Sequence, residues 1–420
     1  MRSRPATILA TCLTLLLAFA IASQPAQARK FKVLHTFEGP PDDGWSPVDV
    51  LVLDSGGNLY GTTDAGGTGN CEDGCGTAFK MDKTGQLIWL HSFNGKHGKY
   101  PLGGVLRDAT GRLFGTASEG GDYCADFSDG CGTVFRLNKN GKETVLYRFT
   151  GFPDGETPAA GLVADSAGNL YGTTYGGGEY DQGTVFKVDP EGNESILYSF
   201  CAEMNCIDGQ DPTTGLIINK SGDVFGVAGG GLTDDGVIYK VSPKGKETVL
   251  YNFEGGVNGG GPVSVLMEGS DGNLYGTTQG GGNLDMCIGE GCGVVYKYSP
   301  HDGTEIALYA FCSKANCSDG ERPYDGPLIE DAAGNFYGTT IFGGSPTCGD
   351  GGGCGVVFKL DRQGNETVLH TFSGGADGAA PHAGLTIDEA GNLYGTTAGG
   401  GDNNCDPGNY GCGVVFKITP

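Results

Sequence analysis

The sequence predicts an all-β protein, a seven-bladed β-propeller of four-stranded antiparallel blades. Three observations support this prediction: Gly and Pro make up about a quarter of the 420 residues, one motif recurs seven times, and the two chain ends carry complementary parts of a repeat. Frequent interior Gly disfavours long helices. Because Gly does not stand at every third position, a collagen helix is excluded. The 38% of hydrophobic residues is enough to form a buried core.

Residues 1–28 predict a signal peptide that is separate from the fold. Two arginines precede an apolar run at 6–22, and a small-x-small cleavage site follows at 26–28. We therefore expect removal of the peptide after Ala28. No second apolar stretch of about 18 residues follows, so we expect no membrane span and a secreted or periplasmic protein. Residues 29–420 are then expected to form a single propeller domain.

The chain is strongly acidic, with 26 Lys and Arg against 50 Asp and Glu and a net charge of −24. Such a charge repels phosphate backbones, so we expect no nucleic-acid partner. The acidic residues are scattered along the chain. This pattern fits solubility, and the alternative is attraction of cations such as Ca²⁺.

The repeated motif is Gly-Asn-Leu-Tyr-Gly-Thr-Thr. Its first copy occupies residues 57–63, and it recurs about every 56 residues. Each repeat predicts four strands: an apolar strand ending in Asp-x-x-Gly, the motif itself, an alternating strand such as 183–189, and a fourth strand such as 143–149. Antiparallel four-stranded units at this period are typical of propeller blades. The aromatic position of the motif is occupied by Tyr60, Phe114, Tyr171, Phe225, Tyr275, Tyr337 and Tyr394.

The chain ends predict a closed ring. The fourth-strand pattern already occurs at 32–37, and the last repeat stops after its third strand, 413–419. We expect the N-terminal strand to complete the last blade, because closure protects sheet edges that would otherwise be exposed. A β-solenoid is the alternative, but it does not explain the complementary ends.

Two motifs recurring in fixed order, Gly-Asn-Leu-Tyr-Gly-Thr-Thr and Gly-Thr-Val-Phe-Lys, make the chain resemble the GloVer tandem-repeat family of exported bacterial proteins. The resemblance covers essentially all of 31–419. It implies an extracytoplasmic, β-propeller-like repeat protein, and it brings no catalytic residues.

Fourteen cysteines outside the signal peptide form seven near-neighbour pairs. In an exported chain they predict seven local disulfides, five between second and third strands and two between a fourth strand and the next blade. Zinc is the alternative, but a structural zinc needs four ligands and one pair supplies two. The pairs are Cys71/Cys75, Cys124/Cys131, Cys201/Cys206, Cys287/Cys292, Cys312/Cys317, Cys348/Cys354 and Cys405/Cys412.

The cysteine-bearing connections are all expected on one face of the propeller, and the tight Asp-x-x-Gly turns on the other. Variable loops on a rigid scaffold often carry binding sites. Aromatic side chains in these loops are suited to stack on sugar rings, and packing over the disulfides is the alternative. These candidate ligand-binding residues are Trp45, Tyr100, Tyr123, Phe127, Tyr180, Tyr324 and Tyr410.

An Asp-Gly-x-x-Pro theme precedes each innermost strand. Its first position is acidic in five repeats and is replaced by His97 and Asn258 in the other two. Turn capping before Pro explains the pattern. The alternative is an acidic ring above the channel that binds a hard cation such as Ca²⁺ through oxygen ligands. The candidate metal ligands are Asp43, Asp154, Asp208, Asp319 and Asp377.

We therefore expect a monomeric, non-enzymatic module that binds a glycan or an extracellular protein through the long-loop face. A carbohydrate-active hydrolase or lyase is the first alternative, and a purely structural envelope or matrix protein is the second. Near-identical repeats cannot supply a unique reactive centre. An enzyme would need residues that depart from the repeat, such as His97, Glu156, Glu321, Arg322 and His382.

Overall fold

The computed structural model describes residues 29–419 apart from 42, 122–123, 125–128, 325, 347, 349–351 and 402–409. The predicted signal peptide lies outside the described residues, as do Tyr123, Phe127 and Cys405. No helix among the described residues is both long enough and apolar enough to cross a membrane. The part of the chain that the structure describes contains four single 3-10 turns, Met204–Cys206, Gly256–Asn258, Cys287–Gly289 and Ala315–Cys317.

The strands form seven antiparallel blades of four main strands each, one for every repeat. The first three blades and the N-terminal strand contain β1 (Lys30–Thr36), β2 (Gly44–Trp45), β3 (Val52–Leu53), β4 (Leu59–Thr63), β5 (Ala65–Gly66), β6 (Thr77–Met81), β7 (Leu87–Ser92), β8 (Val105–Arg107), β9 (Leu113–Ala117), β10 (Thr133–Leu137), β11 (Glu143–Arg148), β12 (Gly155–Glu156), β13 (Val163–Ala164), β14 (Leu170–Thr174), β15 (Gly176–Gly177), β16 (Thr184–Val188) and β17 (Glu194–Ser199).

The remaining blades are built in the same way, each with a short inner strand and longer middle and outer strands. They contain β18 (Ile217–Ile218), β19 (Val224–Ala228), β20 (Val237–Val241), β21 (Glu247–Asn252), β22 (Gly260–Pro262), β23 (Met267–Glu268), β24 (Leu274–Gly280), β25 (Val294–Ser299), β26 (Thr304–Ala310), β27 (Ile329–Glu330), β28 (Phe336–Thr340), β29 (Val356–Leu360), β30 (Glu366–Thr371), β31 (Thr386–Ile387), β32 (Leu393–Thr397) and β33 (Val414–Thr419).

Strand β1 closes the ring, as the sequence predicted. It pairs antiparallel with β33, so the seventh blade has the order β31, β32, β33, β1. The pairing contains a bulge between Val33 and His35. The third and fourth strands of the other six blades have the same irregularity, for example between Val134 and Phe135. The N-terminal strand is therefore an outer strand like the other six.

An edge-to-face aromatic pair fills every junction between blades. A Phe that follows the fourth strand packs against a Phe or Tyr in the third strand of the next blade, with ring centroids 4.9–5.6 Å apart. Such pairs add favourable quadrupole contacts to the burial of apolar area. The pairs are Phe37–Phe79, Phe93–Phe135, Phe149–Phe186, Phe200–Tyr239, Phe253–Tyr296, Phe311–Phe358 and Phe372–Phe416. The first and last of them join the seventh blade to both of its neighbours.

Three positions of the repeated motif, its Asn, Tyr and second Gly, each have a separate structural role. The Gly before Thr-Thr leaves room for the aromatic ring on the third strand, because a Cβ on Gly172 would lie 2.7 Å from the Phe186 ring. The Asn and Tyr of the motif bind the Asp of the preceding tight turn. The Asp165 carboxylate accepts hydrogen bonds from the Asn169 amide at 2.6 Å and from the Tyr171 hydroxyl at 3.0 Å. Turn chemistry therefore accounts for the aspartates of the tight Asp-x-x-Gly turns.

The innermost strands are shorter than the sequence predicted. The apolar stretch 161–165 was expected to form a strand, but β13 contains only Val163 and Ala164. The reason is crowding near the propeller axis, where neighbouring inner segments approach backbone to backbone. A Cβ on Gly103 would lie 2.3 Å from the carbonyl carbon of Ala160 in the next blade. These segments therefore line the central channel more than they extend the sheets.

Candidate functional site

Each connection that enters an inner strand makes a left-handed kink immediately before its Pro. The kink residues have φ between 49° and 64° in all seven repeats, a region that residues other than Gly rarely adopt. The kinks follow the same path in every blade, so they surround one end of the central channel. They are Ser46, Tyr100, Thr157, Asp211, Gly261, Arg322 and Ala380.

The disulfide loops hold these kinks in place. The backbone N–H of Tyr100 donates to the carbonyl of Cys75 at 3.0 Å, and that of Arg322 donates to the carbonyl of Cys292 at 2.8 Å. In five of the seven blades the acceptor is the second cysteine of a loop between the second and third strands. The cysteines therefore fix the backbone around the channel mouth, where side chains differ from repeat to repeat.

A cavity of about 620 Å³ opens at this mouth between the seventh, first and second blades. Its lining combines aromatic rings with carboxyl groups and contains no Lys or Arg among the described residues. The aromatic and acidic residues are Trp45, Tyr100, Tyr410, Asp64, Asp73 and Glu119. Three kink residues, Ser46, Tyr100 and Ala380, line the cavity, which shows that the kinks shape it.

The mouth cavity adjoins the central channel, a second cavity of about 530 Å³. Leu102 and His382 line both. Most of the channel lining is Val, Leu, Ala and Gly from the inner segments, so its titratable side chains stand out. They are Asp49, Tyr324 and His382, and the last two rings meet edge to face with centroids 5.7 Å apart.

The carboxyl groups of the two cavities differ in their electrostatic surroundings. The Glu119 carboxylate pairs with the Lys99 ammonium at 2.7 Å. Burial, with a further contribution from Glu119, raises the pKa of Asp64 to about 6. Burial raises the pKa of Asp49 to about 7, although its carboxylate accepts a hydrogen bond from the Val50 N–H. Burial lowers the pKa of His382, which keeps that ring neutral at physiological pH.

The structure brings together some of the aromatic residues singled out in the sequence and not others. Trp45, Tyr100 and Tyr410 share the mouth cavity, and Tyr324 lies in the adjoining channel. Tyr180 is 44% exposed in the third blade and lines neither cavity. Tyr123 and Phe127 lie outside the described residues.

Each of the five aspartates proposed as a cation-binding ring contacts the outer strand that precedes it in the chain. The Asp154 carboxylate accepts a hydrogen bond from the Tyr147 hydroxyl at 2.9 Å, and Asp208 accepts one from Tyr198 at 2.6 Å. Asp43, Asp319 and Asp377 have equivalent partners on the outer strands, at His35, Tyr309 and His370. Turn capping and these contacts use the carboxylate oxygens. Cation binding by this set stays a prediction.

The sequence reasoning missed a set of acidic residues at the blade junctions. In five blades a Glu at the start of the outer strand, the first residue in four of them and the second in β26, faces the outer strand of the preceding blade. The Glu305 carboxylate accepts a hydrogen bond from the Tyr251 hydroxyl at 3.2 Å, and His91 and His97 both lie 3.2 Å from Glu143. In all five, one carboxylate oxygen is buried without a hydrogen-bond partner among the described residues. They are Glu143, Glu194, Glu247, Glu305 and Glu366.

At the junctions of Glu194 and Glu247, the pKa of the Glu is raised to neutrality or above. Burial and the neighbouring Asp154 raise the pKa of Glu194 to about 7. Burial, together with Asp208 and Glu203, raises the pKa of Glu247 to about 8. A signal was present in the sequence, because Glu occupies the same aligned position at the start of the fourth strand in five repeats. Only the fold shows that each Glu faces an acidic or aromatic group of the blade before it.

The structure confirms six of the seven predicted disulfides, Cys71–Cys75, Cys124–Cys131, Cys201–Cys206, Cys287–Cys292, Cys312–Cys317 and Cys348–Cys354. Cys412 is also disulfide-bonded, and its predicted partner Cys405 lies outside the described residues. Two of the disulfides lie side by side, with 3.6 Å between the Sγ atoms of Cys287 and Cys312. The pairs had been treated as isolated, and this contact could not be read from their spacing.

The fold and the mouth define a closed, disulfide-bearing propeller of tandem repeats. The chain belongs to the Gloeobacter/Verrucomicrobia repeat family, whose model matches residues 20–165, 124–317 and 289–420. This membership agrees with the resemblance seen in the repeated motifs. No curated protein matches the chain significantly.

Several solved structures share the propeller architecture at low sequence identity. Virginiamycin B lyase from Staphylococcus aureus has a TM-score of 0.58 and 12% identity, covering 93% of this chain and 99% of that chain. A GH74 xyloglucanase from Xanthomonas campestris has a TM-score of 0.54 and 15% identity, covering 88% and 52%. Oligogalacturonate lyase from Vibrio parahaemolyticus has a TM-score of 0.51 and 13% identity, covering 94% and 97%. At these identities the likeness shows the fold alone.

Proposed function

We propose that the protein is an exported, non-enzymatic binding module that takes a glycan at the mouth of its central channel. The observation that carries this proposal is the mouth cavity, where Trp45, Tyr100 and Tyr410 stand beside three carboxyl groups. Flat aromatic side chains present large rigid surfaces with little rotamer entropy to lose. Neighbouring carboxylates are hydrogen-bond acceptors for sugar hydroxyls.

The positions at which the repeats differ in sequence also support a binding site at the channel mouth. Residues that build the blades hardly change between repeats, because each blade uses the same turn, ring and Gly contacts. At the kinks, by contrast, the repeats carry residues as different as Ser46, Tyr100 and Arg322. Such variation on a rigid scaffold is expected where a ligand is recognised.

The test is binding of the mature, oxidised protein to a glycan array, followed by calorimetry on the best ligand. We expect Trp45→Ala and Tyr100→Ala each to weaken binding by about tenfold or more, because each removes a stacking surface. Tyr180→Ala is the matched control, since this exposed tyrosine lines neither cavity. No binding to any glycan, or equal losses in the Tyr180 and Tyr100 variants, would contradict the proposal.

A carbohydrate-active hydrolase or lyase is a second candidate, favoured by one observation. The pKa values of Asp64 and Asp49, about 6 and about 7, lie where a general acid or base works best. Of the repeat-breaking residues first considered for catalysis, His382 lines both cavities, whereas His97 pairs with Glu143. Turnover on a polysaccharide panel that Asp64→Asn abolishes would support an enzyme. Binding without turnover would support the first proposal.

We further propose that the protein is exported after cleavage at Ala28. Six disulfides among the described residues support an oxidising compartment, because such bonds rarely persist in the cytosol. N-terminal sequencing of the protein recovered from the periplasm or the medium tests this directly. A mature chain that begins at Arg29 is the expected result, and recovery of the uncleaved chain from the cytosol would contradict it.

A further inference from the structure

Two carboxyl groups in the first blade depart from the repeat. The position of Asp64 holds Ser118, Tyr175, Gly229, Gln279, Ile341 and Ala398 in the other six repeats. The position of Asp49 holds small uncharged residues in five of them, and Asp325, in the sixth repeat, lies outside the described residues. Since all six other repeats form the same blade without the carboxyl of Asp64, and five of them without that of Asp49, the blade structure does not require either group.

Neither carboxyl has a cationic partner among the described residues. The Asp64 carboxylate makes no hydrogen bond and no ion pair there, and that of Asp49 accepts only the Val50 N–H. The Lys99 ammonium, beside Tyr100, pairs with Glu119 at 2.7 Å and with Asp129 at 3.4 Å. Burial of an ionised carboxylate without a countercharge is unfavourable. Burial correspondingly raises the pKa of Asp64 to about 6, yet the group is still mostly ionised at neutral pH.

The walls around Asp64 are also suited to a cation. Trp45, Tyr100 and Tyr410 line the same cavity, and the faces of aromatic rings attract ammonium groups. Tyr100 already contacts one, because the Lys99 Nζ lies 4.9 Å from its ring centroid. The cavity therefore combines negatively charged carboxyl groups with aromatic faces, and its described lining contains no Lys or Arg side chain.

We infer that the glycan bound at the mouth carries free amino groups, as an oligosaccharide of deacetylated amino sugars does. Its ammonium groups would pair with Asp64 and, in the adjoining channel, with Asp49, while its ring faces stack on the aromatic walls. This inference rests on the proposed function and specifies its ligand class. A neutral glycan would leave the Asp64 carboxylate desolvated and unpaired, which opposes binding.

The experiment compares two probes that differ only in acetylation, glucosamine oligomers and N-acetylglucosamine oligomers of equal length, by calorimetry with the mature oxidised protein. We expect the glucosamine oligomer to bind about tenfold more tightly or better, the effect of one charge-assisted contact. Asp64→Asn should remove most of this preference. Asp285→Asn is the control, because it changes the net charge equally at an exposed site in the fifth blade.

The outcomes distinguish failure of the amino-sugar inference from failure of the proposed glycan-binding function. Equal affinity for the two oligomers would overturn the amino-sugar inference and leave glycan binding intact. Failure of both oligomers and of all array glycans would overturn the proposed function itself. Equal loss of the preference in the Asp64 and Asp285 variants would mean attraction by overall charge, which contradicts the inference. Tighter binding of a lysine-rich peptide than of the amino sugar would also contradict it.

Discussion

Glu247 provides a sharp test of the blade junctions. Glu247 is the first residue of the outer strand of the fourth blade. One oxygen of its carboxyl group is buried without a hydrogen-bond partner among the described residues. Burial, Asp208 and Glu203 raise its pKa from 4.5 to about 8. The folded protein therefore holds a proton at this site that the unfolded chain releases near pH 4.5.

The sign and size of the effect follow from this difference. A group whose folded pKa is raised contributes stability that is fully present below the unfolded pKa and is lost as the pH rises through the folded pKa. Each pH unit between about 4.5 and 8 then lowers the free energy of unfolding by about 1.4 kcal/mol for a proton of this kind. From pH 6 to pH 9 we expect a loss of about 1–3 kcal/mol from Glu247 alone, because solvent screens part of the effect at this half-buried group.

The assay is urea denaturation of the oxidised protein at pH 6, 7, 8 and 9, for the wild type and for Glu247→Gln. Gln has the same shape and no charge, so the stability of the variant relative to the wild type should grow between pH 6 and pH 9 by the amount that the wild type loses, and the contribution of the Glu247 charge should vanish only near pH 4.5. Glu268→Gln, at an exposed position of the next blade, controls for net charge. A difference between Glu247→Gln and the wild type that does not vary with pH would refute this reasoning.

Three further predictions address the other contacts. Phe372 is fully buried against Phe416, so Phe372→Ala should lower the free energy of unfolding by about 3–5 kcal/mol, measured by urea denaturation. Phe152 is exposed, and a loss no larger than that of Phe152→Ala would contradict the stabilising role of the aromatic pair at the blade junction. Asp165→Ala removes the acceptor for Asn169 and Tyr171 and should cost about 1–3 kcal/mol in the same assay, and an unchanged midpoint would contradict the turn account. Cys71→Ser/Cys75→Ser should weaken glycan binding severalfold in calorimetry, because the Cys75 carbonyl holds the kink at Tyr100. Cys201→Ser/Cys206→Ser removes a different disulfide and should leave binding unchanged. Equal effects of the two double variants would contradict the role of the Cys71–Cys75 disulfide in supporting the mouth.

The architecture was predictable from the sequence because every blade repeats the same local rules. Turn aspartates such as Asp165, the strand motif and the complementary ends each have a single structural consequence, so the fold followed from the pattern. The lengths of the inner strands did not follow. Crowding at the axis, as between Gly103 and Ala160, arises only when all the blades are assembled.

The candidate site was only partly predictable, for the same reason. Aromatic loop residues such as Trp45 and Tyr100 could be singled out by type, but their meeting in one cavity depends on how the first, second and seventh blades are arranged. Asp64 and Asp49 were overlooked because acidic residues are common in this chain. Their departure from the repeat was visible, and comparison of aligned repeat positions would have found both.

Ring closure by the N-terminal strand is the claim on which the channel and its mouth depend, and hydrogen exchange tests it most directly. The measurement compares backbone amides of β33 and β1 with those of β16 and β17, the equivalent strands of the third blade. We predict similar protection in the two pairs, because β33 lies between β32 and β1 just as β16 lies between β14 and β17. Rapid exchange in β1 and along the facing side of β33, with β16 and β17 still protected, would contradict the closed ring.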